Sequence, residues 1–196
     1  MKVVADISMS LDGFVTGPNP GTENGLGDGG MPIHAWVFGD DPADQAVLAD
    51  AVEFSGAVVM GRNLFDVIDG PGGWNDEMGY GARHVANPPF FVVTHRAPDS
   101  VRLEKLDFTF VTGGVGAAVE AARAVCPAEK NVVIMGGGDV IRQALDDKVL
   151  DELVLHVSPI VLGAGTPLFH DIARHELRQV DVRVSKYATH IRFACR

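Results

Sequence analysis

Basic residues are in short supply. Only 16 Lys and Arg stand against 26 Asp and Glu, a formal net charge of −10. That balance argues against general nucleic-acid binding, which depends on neutralising phosphates. It also means that an anionic ligand needs a locally positive patch, so Arg62, His95 and Arg96 are more informative here than in a basic protein. Cysteine is nearly absent. Cys126 and Cys195 lie far apart, at no metal-ligand spacing, and read as small packed side chains rather than as a disulfide in a reducing compartment. No apolar run approaches the roughly 20 residues of a membrane span. The start, Met1-Lys2-Val3-Val4-Ala5-Asp6, meets an acid too early for a signal peptide, so a cytoplasmic protein is expected. Internal repeats and low-complexity linkers are lacking as well. What remains is ordinary globular composition, 46% apolar and 21% charged over 196 residues, consistent with one domain spanning 1–196.

Glycine, by contrast, is placed with purpose. Gly136-Gly137-Gly138 stands between the apolar run Asn131-Val132-Val133-Ile134-Met135 and the amphipathic run Asp139-Val140-Ile141-Arg142-Gln143-Ala144-Leu145. This is the pattern of strand, tight turn and helix. A turn without Cβ atoms lets a ligand approach the backbone, and the N–H groups of the following helix favour an anion such as a pyrophosphate. A turn that merely lets helix and strand pack accounts for the glycines equally well, because Ile141 occupies the third glycine position of a G-x-G-x-x-G fingerprint. The same grammar appears twice earlier. Ala57-Val58-Val59-Met60 runs into Gly61-Arg62-Asn63, and Phe90-Phe91-Val92-Val93 runs into Thr94-His95-Arg96. Ligands of open α/β sheets bind beyond the carboxyl ends of the strands. Three such ends suit one extended, multiply anionic ligand, and a dinucleotide fits.

Strands are expected near 2–9, 57–61, 90–94, 108–112, 131–135, 152–158, 177–185 and 188–195, and helices over 42–54, 62–69, 115–125 and 139–147. The first helix has Asp40 or Asp41 as its cap and Pro42 in its first turn, with Ala43, Val47, Ala51 and Phe54 on one buried face and Leu48 widening it. Helix 115–125 is expected to bury Val115, Ala118, Val119, Ala122 and Val125. Alternating strands and helices predict a three-layer α/β fold with a mixed, mainly parallel sheet, closed by a C-terminal antiparallel hairpin. Two glycine-rich stretches, Gly17 to Gly39 and Gly70 to Pro89, are long for simple connections. Trp36 and Trp74 suggest that these stretches pack onto something, be it a ligand or the core.

These residues together resemble a known family. Ile7-Ser8-Met9-Ser10-Leu11-Asp12-Gly13-Phe14-Val15, Val58-Val59-Met60-Gly61-Arg62, Val92-Val93-Thr94-His95-Arg96 and Ile134-Met135-Gly136-Gly137-Gly138 follow in the order of the dihydrofolate reductase-like superfamily. Leu155-His156-Val157-Ser158-Pro159-Ile160-Val161-Leu162-Gly163, leading to Pro167-Leu168-Phe169, is similar to the branch holding the reductase domain of bacterial bifunctional riboflavin-biosynthesis deaminase-reductases. The resemblance covers nearly the whole chain. It lacks the zinc-binding His/Cys signature of the deaminase partner, so a stand-alone reductase-like domain is implied.

The resemblance implies NADPH as cofactor. Gly61, Arg62 and Asn63 would meet its phosphates, and Thr94, His95 and Arg96 would surround the adenosine ribose and 2′-phosphate. Gly136, Gly137, Gly138, Asp139 and Val140 would cradle the pyrophosphate, and Ser8, Asp12 and Val15 would lie toward nicotinamide and substrate. Arginine holds phosphate in bidentate fashion, which suits Arg62 and Arg96, although an arginine is also a common surface charge and His95 also reads as structural. The implied activity is hydride transfer to a small C=N or C=O compound, ribosylaminopyrimidine or pterin-like, with no obligatory protein nucleophile. Asp12, Asp44 and Trp36 are the candidate catalytic residues. Asp12-Gly13 is equally a turn dipeptide, and Asp44 reads as a solvated helix-face carboxylate before it reads as a proton donor. Related reductase domains pair, so a homodimer is expected, acting on a small molecule with no nucleic acid or membrane involved. A non-catalytic dinucleotide sensor or partner subunit is the alternative. A metal hydrolase built on His170, Asp171 and His175 matches no strong ligand spacing, and no metal is expected.

Overall fold

The structure is a computed structural model that describes residues 1–80, 82 and 87–195. In chain order, β1 (Val3–Ser10) and the short β2 (Phe14–Thr16) are followed by a 3-10 turn (Met31–His34) and the one-turn helix α1 (Ala35–Phe38). Next come α2 (Pro42–Phe54), β3 (Ser55–Gly61), α3 (Arg62–Ile68), β4 (Phe90–Val93) and β5 (Phe108–Val111). α4 (Gly114–Val125), β6 (Asn131–Met135), α5 (Gly138–Asp146), β7 (Glu152–Ser158), β8 (Thr166–Pro167), β9 (Arg178–Val184) and β10 (Thr189–Ala194) complete the chain. Every expected helix and strand is present, with ends within two residues of those read from the sequence.

β3 is apolar along its length because helices cover it on both sides, and all seven of its residues are buried. It lies in an eight-stranded sheet of order β5-β4-β3-β6-β1-β7-β10-β9. The pairings from β5 through β7 are parallel, and β10 runs antiparallel to both β7 and β9. The fold is therefore the three-layer α/β arrangement with a mixed sheet and a C-terminal hairpin. On one face α4 and α5 pack Val119, Ala122, Ile141 and Ala144 against Val3, Ala5, Val59 and Ile134. On the other, Phe65 and Ile68 of α3 meet Val58, Met60, Phe90 and Val92, and beside them Trp36, Val47 and Ala188 form a smaller cluster. No helix among the described residues is long and apolar enough to cross a membrane.

Some expectations need correction. The inner face of α2 is centred on Asp44 and Val47, while Phe54 is exposed, because Asp44 finds a buried partner and turns the helix toward it. Val125 likewise ends α4 outside the core. Asp41 is the residue that caps α2, accepting from the Ala43 amide at 2.9 Å; Asp40 accepts from the Tyr187 hydroxyl instead. Gly17 to Gly39 is not one open loop but contains the 3-10 turn and α1, in which the indole of Trp36 is buried. The β2–β8 ribbon is too short to show a period in the sequence. Residues 81 and 83–86 of the stretch Gly70 to Pro89 lie outside the described residues; Trp74 packs on Tyr80 and Phe90.

Candidate cofactor and substrate site

β3 and β6 are parallel neighbours, so the glycine turns that end them fall side by side. Gly136 and Gly137 have φ of +69° and +81°, a left-handed backbone that a Cβ would strain. Gly61 is a tight fit instead: a Cβ there would lie 3.0 Å from the Val140 side chain, which would have to give way. A Cβ on Gly137 would come within 3.6 Å of the Gly61 amide nitrogen, which shows how closely the two turns abut. Gly137 caps α5, whose first N–H groups open beside this junction. Asp139, in that first turn, is neutralised by an ion pair to Arg142, and Arg142 also donates to the Leu168 carbonyl at 3.0 Å. The glycine turn is thereby pinned to the β8 segment.

A cavity of about 530 Å³ opens over this junction and brings together nine of the residues singled out in the sequence: Gly61, Arg62, Asn63, Thr94, His95, Arg96, Gly137, Asp139 and Val140. Leu64, Val93, Thr112, Gly114 and Gln143 complete its lining, and none of these five was assigned to the site from the sequence. Gly136 does not line it. Gly138 faces inward, where its Cβ position is 3.2 Å from Arg142 and 3.8 Å from Val15. Arg62 is half-buried and works as a strut. Its Nε pairs with Asp66 at 2.7 Å, and Nη1 donates to the Arg96 carbonyl at 2.7 Å, tying α3 to the end of β4. Thr94 is buried, and its hydroxyl also donates to the Arg96 carbonyl. His95 and Arg96 are exposed at the mouth. The pair between Arg96 and Asp99 is 80% and 89% exposed, a contact weak enough for a phosphate to displace. Paired glycine turns, a helix N-terminus and two arginines along one groove fit the phosphates of a dinucleotide.

The residues placed toward the substrate occupy different ground. The Asp12 carboxylate is exposed and accepts from the Leu162 and Gly163 amides at 3.1 and 2.7 Å. The Ser10 hydroxyl and these amides hold its pKa down at about 2. Asp12 thus staples the β1–β2 turn to the segment after β7, the turn role open to it from the sequence. Val15 packs in the core beside Leu168, and Ser8 is buried with its hydroxyl accepting from the Trp36 indole at 2.9 Å.

Asp44 is not solvated; it is fully buried, and its Oδ1 lies 2.7 Å from His190 Nε2. His190 Nδ1 is 2.7 Å from His156 Nδ1, and His156 Nε2 is 2.9 Å from Asp6 Oδ1. This line of four polar side chains crosses α2, β10, β7 and β1 beneath Trp36, whose ring lies 4.2 Å from His156 and 5.1 Å from His190. Asp6, His156 and His190 were not among the residues singled out as site residues. Their signal was a histidine inside each of two strands that otherwise read as apolar or alternating. Nearby, burial, reinforced by His156, pushes the pKa of His34 down to about 4, with Asp6 opposing. Burial also lowers that of His190, against the pull of Asp44. His170 and His175 pair with different carboxylates, Asp171 and Asp146, and no group of three or more metal-ligating side chains is gathered among the described residues.

The doubly covered mixed sheet, with apposed glycine turns at the ends of β3 and β6, has the dihydrofolate reductase-like fold. Sequence and structural comparisons agree. The model of the RibD C-terminal domain family matches residues 1–192, and the chain belongs to that family. It is similar to the uncharacterized protein YwjB of Bacillus subtilis strain 168, 25% identical over 178 residues, covering 87% of this chain and 84% of that one. Its fold matches a candidate riboflavin biosynthesis protein from Shewanella sp. PV-4 with a TM-score of 0.72 and 21% identity, over 100% of this chain and 99% of that one. It also matches the dihydrofolate reductase of Enterococcus faecalis complexed with NADP(H) and RAB-propyl, with a TM-score of 0.59 and 17% identity, over 99% of this chain and 96% of that one.

Proposed function

We propose that the protein is an NADPH-dependent reductase acting on a small C=N or C=O compound of the ribosylaminopyrimidine or pterin-like class. The observation that carries this reading is the convergence of the Gly61 and Gly137 turns with Arg62, Thr94 and Arg96 on one groove. Membership of the RibD C-terminal domain family supports a reductase, and the fold shared with an NADP(H)-bound dihydrofolate reductase supports the cofactor. In this reading the glycine turns and the N-terminus of α5 hold the pyrophosphate, while Arg62 and Arg96 hold the phosphorylated ribose. Bound there, the nicotinamide supplies the hydride. The protein orients the two reactants, excludes water and delivers a proton.

The reading includes a cytoplasmic homodimer, for which edge strand β9, with Val180, Val182 and Val184 exposed, is a suitable contact. Loss of reduced-nicotinamide absorbance is the direct assay, with pterins, ribosylaminopyrimidines, imines and carbonyl compounds as the panel. Turnover of a member with NADPH is the expected result. NADPH binding without turnover of any member would instead identify a dinucleotide sensor.

A further inference from the structure

Three hydrogen bonds join Asp6, His156, His190 and Asp44 in a line, and each requires one proton. Two neutral imidazoles supply two. If each donates outward from Nε2 to its carboxylate, both Nδ1 lone pairs face each other at 2.7 Å with nothing between them. If one ring turns its proton to the Nδ1–Nδ1 contact, its Nε2 lone pair faces a carboxylate. All three contacts form together only when the group holds a third proton, on Asp44, on a ring or on Asp6.

We propose that these four side chains store one proton beyond the two of neutral histidines and deliver it through Asp6 to the substrate. The delivery step rests on the reductase reading; the stored proton does not. Burial favours the lower charge, since two carboxylates and two neutral rings carry −2 and the three-proton state carries −1. Oδ2 of Asp44 is buried without a hydrogen-bond partner among the described residues, a position better suited to the carbonyl oxygen of a protonated carboxyl than to an anion. Burial also lowers the pKa of His190, which disfavours an imidazolium at that ring.

The line has one open end. Asp44 and His156 are fully buried and His190 nearly so, whereas the Asp6 side chain is 26% exposed. Asp6 pairs in register with Met135, the last residue of β6 before the Gly136-Gly137-Gly138 turn, so the open end lies at the strand end that bears the proposed cofactor site. Among the described residues, the charged and titratable groups facing the line from surrounding elements include His34 from the 3-10 turn, Asp41 at the start of α2, Tyr80 from the segment before β4 and Arg183, the partner of His190 across β9. Trp36 roofs the two rings and is fixed by its bond to Ser8.

With the third proton on Asp44, His156 passes its Nε2 proton to Asp6, His190 passes its Nδ1 proton to His156 Nδ1, and Asp44 passes its own to His190 Nε2 and is left ionised. The Asp6 carboxyl so formed gives its proton to the nitrogen or oxygen of the double bond as carbon accepts the hydride, and the group then holds two protons. Each shift makes one bond to hydrogen and breaks one, and solvent later restores the proton through Asp6.

The test uses the whole protein labelled with 15N in histidine and 13C in the Asp carboxyls, followed by NMR across pH. At pH 7.5 we expect either a protonated carboxyl or one imidazolium within the group, three protons in all. Two ionised carboxylates with two neutral rings would overturn the proposal. In Asp44→Asn the amide becomes a permanent donor to His190, so the third proton is no longer needed and is expected to vanish without loss of the fold. Its persistence there would also overturn the assignment. For delivery, Asp6→Asn is expected to lower kcat on the order of 100-fold and to remove the alkaline limb of its pH profile, with the Kd for NADPH unchanged. Wild-type kcat and pH profile in that variant would overturn delivery. If the wild-type protein with three protons turns over no compound of the panel, the reductase reading and delivery both fall, and the stored proton stands.

Discussion

Lowering the pH from 7.5 to 5 should destabilise this protein well before its carboxylates begin to titrate. His34 has a pKa of about 4 in the folded chain against an ordinary 6.5, because burial and the neighbouring His156 disfavour its charge. Between those values the unfolded chain binds a proton that the native state refuses, so stability falls as pH drops below 6.5 and levels off below 4. At 1.36 kcal/mol per pH unit, the loss from His34 is about 2 kcal/mol at pH 5. The lowered pKa of His190 acts in the same direction. Asp12, Asp41 and Glu152 also have lowered values, but for a carboxyl the stabilisation is present above its ordinary pKa and is lost only as pH falls toward the folded one. The window from pH 5 to 7.5 therefore keeps these three carboxyls out of the balance, and the His34 variant separates that histidine from the buried line. Urea unfolding followed by tryptophan fluorescence is the assay, with His34→Gln beside the wild type. The variant should show a drop smaller by about 2 kcal/mol. A wild type equally stable at both pH values, or an undiminished drop in the variant, would refute the reasoning.

Other perturbations probe the groove and the roof over the histidines. Arg62→Ala should weaken NADPH by about 2 kcal/mol, roughly 30-fold in Kd, and NADH by less, as read by calorimetry; equal weakening would move Arg62 from the 2′-phosphate to the pyrophosphate. Gly137→Ala meets no atom closer than 3.6 Å but forces a side chain to φ +81°, so a cost of about 1–2 kcal/mol and a fall of a few degrees in Tm are expected. Trp36→Phe keeps an aromatic ring over His156 but leaves the Ser8 hydroxyl without its donor, a loss of about 1 kcal/mol by urea unfolding.

The groove was legible because local chemistry carries it. A β-branched run ending in glycine and arginine marks the carboxyl end of a parallel strand, and β3 and β6 happen to be neighbours. Residues brought in from α4 and the middle of α5, such as Gly114 and Gln143, had no such mark, since only the packing of those helices aims them at the cavity. Asp44 shows the limit most clearly. On the sequence it stands near Asp40 and Asp41 at a helix start, where a carboxylate ordinarily meets water. Its burial follows from His190, 146 residues away, and a pairing at that separation has no local period. His156 and Asp6 are joined across a similar separation of 150 residues. Asp12 illustrates the converse: the Asp-Gly dipeptide announced a turn, and its carboxylate is committed to the Leu162 and Gly163 amides.

The proposed reading stands or falls on whether the groove at the ends of β3, β4 and β6 binds a phosphorylated dinucleotide. Calorimetric titration of the purified protein with NADPH, and separately with NADH, decides this. Saturable binding of NADPH and markedly weaker binding of NADH are expected if Thr94, His95 and Arg96 meet the extra phosphate. Absence of binding to either nucleotide would contradict that reading.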